Sequence, residues 1–272
     1  MKKRRLQILL TNDDGVDSPG IWAAAEALSE LGFVTLAAPR EQASSTGRSL
    51  PLHSDGKIEP RTQRIGQQEW QVYAIGGTPA QAVLHTILEL MPEPPDLVVS
   101  GINYGENVGN SITISGTVGA AMEGAAMGIP SMAVSLQLSP GESFYANAPH
   151  IDFSTAAHFT RFFAGMMLEK KMLPGVDLIK VEVPTCATID TPWRATRLTG
   201  QRYYLPVVKR KGQLNEPGYI GARIEIDYDR LEEDSDVHAL VIDRMVSVTP
   251  LTLDMTAHCD LSVFERNLRG EG

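Results

Sequence analysis

The chain has 272 residues, 43% of them hydrophobic and 21% charged, which supports one large α/β core, or one core with an appendage, and argues against disorder. Its net charge of −9 argues against a nucleic-acid polymer as partner, since coating one requires positive charge; a phosphorylated small molecule stays open, because a bound metal inverts the local field. Two well-separated cysteines, Cys186 and Cys259, lie near no His pair at metal spacing, and no run is long enough to span a membrane, so the expectation is a reduced, cytoplasmic protein.

Lys2-Lys3-Arg4-Arg5 reads as a solvated basic tip. The apolar run behind it is too short for a signal peptide and leads into Asn12-Asp13-Asp14 rather than a small-residue cleavage site. Leu6 to Leu10 has the length and bounded apolar character of a buried strand. Asn12 and Gly15 break it. Ser18-Pro19 then opens a helix, with serine at the N-cap and proline in the first helical position. The turn between strand and helix carries Asp13 and Asp14. In an open parallel sheet, ligands bind beyond the carboxyl ends of the strands. Two close carboxylates there repel unless one takes up a proton or a hard cation sits between them. Asp-Asp-Gly is also common turn chemistry, so this turn alone leaves a metal site and plain helix capping about equally open.

The helix from Pro19 to about Leu31 has apolar spacing through Ile21, Ala24, Ala25 and Leu28, and Phe33 to Ala38 follows as a second strand. No G-x-G-x-x-G follows the first strand, so the dinucleotide fingerprint is missing. The loop from Pro39 to Ser49 is rich in small hydroxylated residues and again lies beyond a strand end. It offers Ser44 or Ser45 as a hydroxyl ligand and Arg48 as a phosphate donor; the alternative is a flexible polar loop. Residues 50–76 read as short strands with turns. Thr78-Pro79-Ala80-Gln81 is a capping box that starts a helix reaching about residue 90, with His85 inside it as a structural or surface residue.

Asp96 to Ser100 is the next strand. It leads into residues 101–110, whose three glycines and three asparagines exceed what a turn needs. Asparagine offers a carbonyl to a cation or an amide to a phosphate, and glycine lets the backbone approach a ligand. Ser115-Gly116-Thr117 opens a helix of small residues, Val118 to Met127, with Ser115 as N-cap and free amides suited to an anion. Ile151 to Leu168 reads as a helix, and Ser131 to Ser135 and Leu178 to Val183 as strands. Beyond Pro184 the texture changes. Tyr203 to Asp234 has the pattern of an extended hairpin, a projecting arm of the kind that pairs with another subunit. Val237 to Ile242 and Arg244 to Val248 are expected to form a closing pair of strands. Residues 1–184 are thus expected to form the catalytic core, and 185–272 a segment that carries an oligomerisation arm and partly completes that core.

At these residues the sequence closely resembles the SurE family, the "survival protein E" metal-dependent 5′-nucleotidases. The matching pieces are Thr11-Asn12-Asp13-Asp14-Gly15 with Ser18-Pro19-Gly20, the run from Pro39 to Ser49, Gly77-Thr78-Pro79-Ala80, the run from Pro95 to Asn103, the run from Ser115 to Gly124, and Val246 to Leu251. The resemblance is dense over residues 6–135 and patchy after that; the ordered set is specific where no single piece is. It implies a Rossmann-like three-layer α/β sandwich with a C-terminal exchange arm, assembled as a homodimer or homotetramer. It implies hydrolysis of nucleoside 5′-monophosphates, aided by one divalent ion per subunit, magnesium or manganese. Carried over by position, the metal ligands are Asp13, Asp14, Ser44 and Asn103, with Asp13, Asp14 and Asn103 also catalytic. Asn107 and the turn Ser115-Gly116-Thr117 face the phosphate. Family members commonly have glycine directly after the ligand serine; here that position is Ser45.

The expected mechanism is in-line attack by a metal-associated water, with helix amides and asparagines holding the phosphate oxygens. A carboxylate bound to the ion is a weak base, and no residue stands out as general base. No Ser-His-Asp arrangement is evident, and nothing supports a covalent phosphoenzyme. The rival readings are a phosphatase of short polyphosphate or other small phosphoesters, a non-catalytic nucleotide- or metal-binding regulator, and a nucleotide-sugar binder, which needs an acceptor domain that this length hardly allows. Paired carboxylates beside an open ion favour the enzyme.

Overall fold

The apolar run behind Arg5 forms β1 (Gln7–Thr11), in which Ile8, Leu9 and Leu10 are fully buried. The computed structural model describes residues 4–139, 151–170 and 172–270; Lys2 and Lys3 of the basic tip lie outside them. After β1 come α1 (Pro19–Ser29), β2 (Phe33–Pro39), a hairpin of β3 (Ile58–Ile65) and β4 (Gln68–Ile75), α2 (Pro79–His85) and β5 (Leu97–Tyr104). Then follow α3 (Gly116–Ala126), β6 (Ser131–Leu136), α4 (Ser154–Glu169), β7 (Leu178–Val183), β8 (Trp193–Ala195), β9 (Tyr204–Arg210), β10 (Gly218–Ile224), β11 (Val246–Leu251) and α5 (Leu261–Arg269).

Nine strands form one sheet in the order β3-β4-β2-β1-β5-β6-β7-β11-β8. From β4 to β7 the neighbours in that order run parallel; β3 and β11 are antiparallel to β4 and β7. Alternation along β1 sets the layers, because successive side chains leave a strand on opposite faces. Ile8 and Leu10 pack with Ile21 and Leu28 of α1 and Phe159 and Phe163 of α4, whereas Leu9 packs with Val83 of α2 and Ala120 of α3. The result is the expected Rossmann-like α/β sandwich. The chain goes from β1 to β2 on one side and returns to place β5 on the other, so the strand order reverses between β1 and β5. That reversal opens a crevice at the carboxyl ends of both strands, where open α/β sheets bind ligands.

The caps lie where the sequence places them. Ser18 accepts from Ile21 N at the start of α1, Thr78 and Gln81 form a reciprocal capping box at α2, and Ser115 accepts from Val118 N at α3. Four details differ from expectation. The helix of residues 79–90 is α only to His85 and continues as a π turn, Thr86–Leu90. β5 does not stop at Ser100 but continues through a register shift to Tyr104, so Asn103 stands on a strand end rather than in a loop. Val237 to Ile242, expected as a strand, forms a π turn over His238–Ile242; a continuous apolar run of this length does not distinguish the two by periodicity. Finally, α5 has no counterpart in the sequence reading. Every residue from 254 to 270 is exposed, and Leu261, Phe264 and Leu268 are spaced to share one face of α5. The hairpin of residues 203–234 is present as β9 and β10, a separate two-stranded antiparallel sheet.

Thr78 also donates to the carbonyl of Ser49 at 2.7 Å, so this cap fastens the end of the Pro39–Ser49 loop to α2. Replacing Thr78 with alanine is expected to lower unfolding stability by about 1 kcal/mol. Chemical denaturation would measure it, and an unchanged midpoint would remove this cap from the contributors to stability.

Candidate metal and phosphate site

The turn after β1 is locked by Asn12. Its Nδ2 donates to the Gly15 carbonyl at 3.1 Å and to Ser18 Oγ at 2.8 Å, and its Oδ1 accepts from Gly15 N at 3.1 Å. Gly15 takes φ +98°, in the half of conformational space that side chains disfavour. This turn delivers Asp13 and Asp14 side by side into the crevice between β1 and β5. Asp13 is 5% exposed. Thr117 Oγ1 donates a short hydrogen bond to Asp13 Oδ1, and the Asp13 carbonyl accepts from Ala43 N at 2.7 Å. Asp14 Oδ2 accepts from Tyr104 N at 3.0 Å, and its Oδ1 accepts from Gln42 Nε2 at 3.3 Å.

Gln42 Nε2 also donates to Ser44 Oγ at 3.1 Å. Of the two serines left open by the sequence, Ser44 is therefore the one joined, through Gln42, to Asp14. Ser45 takes φ +62°, a left-handed conformation that a glycine adopts at less cost. Asn103 Nδ2 donates to the Gly105 carbonyl at 2.6 Å. Because that partner requires a donor, Oδ1 is the atom of this amide left to ligate a cation.

The residues expected to face the phosphate divide into three roles. Asn107 Nδ2 donates to Ser135 Oγ at 3.0 Å and Asn107 N donates to Glu182 Oε2 at 2.9 Å. An amide carries two N–H donors, so one remains for a ligand. Ser115 caps α3 through Val118 N at 3.1 Å. Gly116 and Thr117 lie against Asp13: a Cβ on Gly116 would fall 2.7 Å from Asp13 Cβ, and the Thr117 hydroxyl orients the carboxylate. Arg48, expected as a phosphate donor, instead has Nε 2.6 Å from Oε2 of the buried Glu123 on α3. Gln42, Ser135 and Glu182 are the contributors that sequence reasoning missed. Gln42 is one polar residue among many in its loop; for Glu182 there was a signal, two charged residues, Lys180 and Glu182, at alternate positions of an otherwise apolar strand.

Burial pushes the Asp13 carboxyl up from its ordinary range, against the lowering effect of the Thr117 and backbone hydrogen bonds. Burial first, and the charge of Asp13 second, push Asp14 up to about 7. No basic side chain contributes to either shift. Among the described residues no cluster of three or more His, Cys, Asp and Glu is placed to hold a metal. The donor set here is instead two carboxylates, a hydroxyl and an amide oxygen. It fits a hard cation, which takes oxygen ligands and needs no sulfur or imidazole.

A family model described as "Survival protein SurE" matches residues 8–204. The chain belongs to the SurE family. A protein named 5′-nucleotidase SurE from Thermococcus gammatolerans is 42% identical over 268 residues, 98% of this chain and 97% of its own length. Another of that name from Methanothermobacter thermautotrophicus is 43% identical over 216 residues, 79% of this chain and 81% of its own. The crystal structure of a SurE protein from Aquifex aeolicus superposes with a TM-score of 0.72 at 32% identity, covering 97% of this chain and 99% of that one. The SurE pattern thus runs through the residues that line the crevice, and the likeness extends well beyond them.

Two outcomes follow from the geometry. Gly116→Ala is expected to push Asp13 out of place and to lower divalent-ion affinity by about 10–100-fold, the usual effect of losing support behind a ligand; calorimetric titration with manganese would measure it, and wild-type affinity would refute the close packing. The second concerns pH. A carboxyl raised on folding stabilises the folded state below its unfolded value of 3.8, and that stability is lost as pH rises through about 7. With a chelator present, the protein should therefore lose stability between about pH 4 and 7, and Asp14→Asn should flatten that slope. Parallel slopes in the two proteins would contradict the burial of Asp14 as a charge.

Proposed function

We propose that this chain is a divalent-metal-dependent phosphomonoesterase that hydrolyses nucleoside 5′-monophosphates to nucleoside and phosphate. The observation that carries the reading is the pair of adjacent aspartates in the crevice, fixed by neutral donors only and lacking a cationic partner among the described residues. Relatives named 5′-nucleotidase, about 40% identical over nearly the full length, support the same class.

Asp13, Asp14, Ser44 and Asn103 would hold the ion, magnesium or manganese. When bound, it polarises the phosphoryl group and lowers the pKa of water. The protein's own part is orientation. Thr117 and Gly116 set Asp13 against the start of α3, Tyr104 N and Gln42 set Asp14, and the free N–H of Asn107 binds a phosphate oxygen. The α3 amides that bear on Asp13 also make this end of the crevice favourable to negative charge. Water attacks phosphorus, the bond to the 5′ oxygen breaks, and the nucleoside leaves with a proton.

The assembly proposed is a homodimer or homotetramer, with a second copy of this chain covering the β9–β10 hairpin and α5. Both elements carry apolar side chains in solvent: Val208, Tyr219 and Ile220 on the hairpin, and Leu261, Phe264 and Leu268 on α5. Self-association buries such a surface twice with one interface.

The reading is tested by phosphate release from a panel of nucleoside monophosphates with magnesium or manganese, with a chelator control. Asp13→Ala and Asp14→Ala should each lower kcat/KM by at least about a hundredfold while circular dichroism stays unchanged. Nucleotide binding without phosphate release would instead make the chain a regulator. The assembly is tested separately by light scattering: Phe264→Glu should reduce the oligomer mass, and an unaltered mass would acquit α5 of that role.

A further inference from the structure

Beneath the 101–110 segment lies a group of buried charges that the metal site does not use. Lys180, Glu182 and Asp236 are 0% exposed and Glu106 is 4% exposed. Lys180 stands in β7, every residue of which is buried. Its Nζ lies 3.1 Å from Asp236 Oδ2 and 3.6 Å from Glu182 Oε1. Both carboxyl groups also reach the loop that carries Asn107. Glu182 Oε2 accepts from Asn107 N at 2.9 Å, and Asp236 Oδ2 accepts from Gly109 N at 2.9 Å. The second oxygen of Asp236 accepts from Thr199 N at 3.0 Å and Val237 N at 2.9 Å.

Register adds a second hold on the same residue. Asn103, Ser135 and Glu182 lie in one row across β5, β6 and β7. Ser135 Oγ takes the Asn107 side-chain amide at 3.0 Å while its row neighbour Glu182 takes the Asn107 backbone amide. Asn107 is thus fixed at both ends from adjacent strands.

Stability alone does not account for this group. Moving ions into an interior is costly, and well-packed apolar replacements are often neutral or stabilising. Leu178, two residues before Lys180 and on the same face of β7, is 0% exposed, so this face accommodates an apolar side chain. What apolar side chains cannot do is accept the amides of a loop that leaves β6 after Gly105 N donates to the Leu136 carbonyl at 2.9 Å. We infer that Lys180, together with Glu182 and Asp236, positions the phosphate loop: the buried ammonium sets the two carboxyl groups, and these fix the Asn107 and Gly109 amides so that the Asn107 side chain meets the substrate's phosphate. The inference rests on the assignment of Asn107 to that phosphate. Lys180 touches neither substrate nor ion; it acts through Asn107.

A residue with that role affects ground-state binding of phosphate more than turnover. In the full-length protein, Lys180→Met should raise KM for a nucleoside monophosphate, and the inhibition constant of inorganic phosphate, by about tenfold, the worth of one good hydrogen bond. The same variant should leave kcat within about twofold, and the double variant with Asn107→Ala should bind phosphate no worse than Asn107→Ala alone. Should Lys180→Met fail to fold, Glu182 decides. Glu182→Leu removes the acceptor for Asn107 N and should reproduce the rise in KM, whereas Glu182→Gln keeps an acceptor and should restore KM to within about threefold of wild type. A wild-type KM in Lys180→Met or Glu182→Leu would overturn the inference, as would a Lys180 effect that multiplies with that of Asn107→Ala. An unchanged KM in Asn107→Ala alone would strike first at the assignment of Asn107, and at the inference through it.

Discussion

Two like charges side by side at the reversal point of the sheet, Asp13 buried and Asp14 half-buried, govern the rest of the site. As a scale, two unit charges about 4 Å apart at an effective dielectric constant near 20 repel by about 4 kcal/mol. That is a large fraction of the roughly 5–15 kcal/mol by which a folded domain exceeds its unfolded state. The protein does not answer this repulsion with a lysine or arginine. It answers with the Thr117 hydroxyl, the Tyr104 amide and the Gln42 side chain. Neutral donors orient a carboxylate without cancelling its charge. The uncompensated charge, raised proton affinity and all-oxygen surroundings together favour a small, hard, doubly charged ion over a structural zinc.

The donors come from segments far apart in sequence, and the topology explains how they meet. β1 and β5 are neighbours: Thr11, the last residue of β1, pairs with Ser100, and β5 runs on to Tyr104 beside the turn. The turn after β1 therefore faces the end of β5, and the loop after β2 folds over both. The contact between Gly116 and Asp13 brings the start of α3 into the same space. A side chain at position 116 would separate helix and carboxylate, so the absence of a Cβ there is a condition of the site.

Much of this was legible because it is local. The aspartate turn, the caps at Ser18, Thr78 and Ser115, and most of the strand–helix alternation follow from residue type and spacing within a few positions. What was not legible depends on contacts across the fold. Nothing near Gln42 in sequence shows that its amide bridges Asp14 and Ser44. Asn103 looks like a loop residue because Gly101 precedes it, yet pairing with β6 carries the strand past that glycine. β8 is three residues long and exists through its pairing with β11, and the run from Val237 to Ile242 is apolar enough for either a strand or a helical turn. The face of α5 has helical spacing, but spacing does not reveal whether a face is covered.

The buried charges of β7 show that the site and the C-terminal segment are not separable. Asp236 lies in the segment after the hairpin, and Tyr203 at the hairpin's root donates to Glu106 at 3.0 Å. Glu106 and Gly109 bracket Asn107 in the loop proposed to bind phosphate, so that loop is held at one end by the root of the arm and at the other by the return strand's approach. β11 then inserts between β7 and β8, completing the sheet on which Lys180 stands. A charge cluster placed only for stability would have no reason to collect its hydrogen bonds from both sides of Asn107. Its arrangement makes sense if the geometry of the phosphate loop is what the interior charges maintain, and it makes the position of the arm's root one of the terms in that geometry.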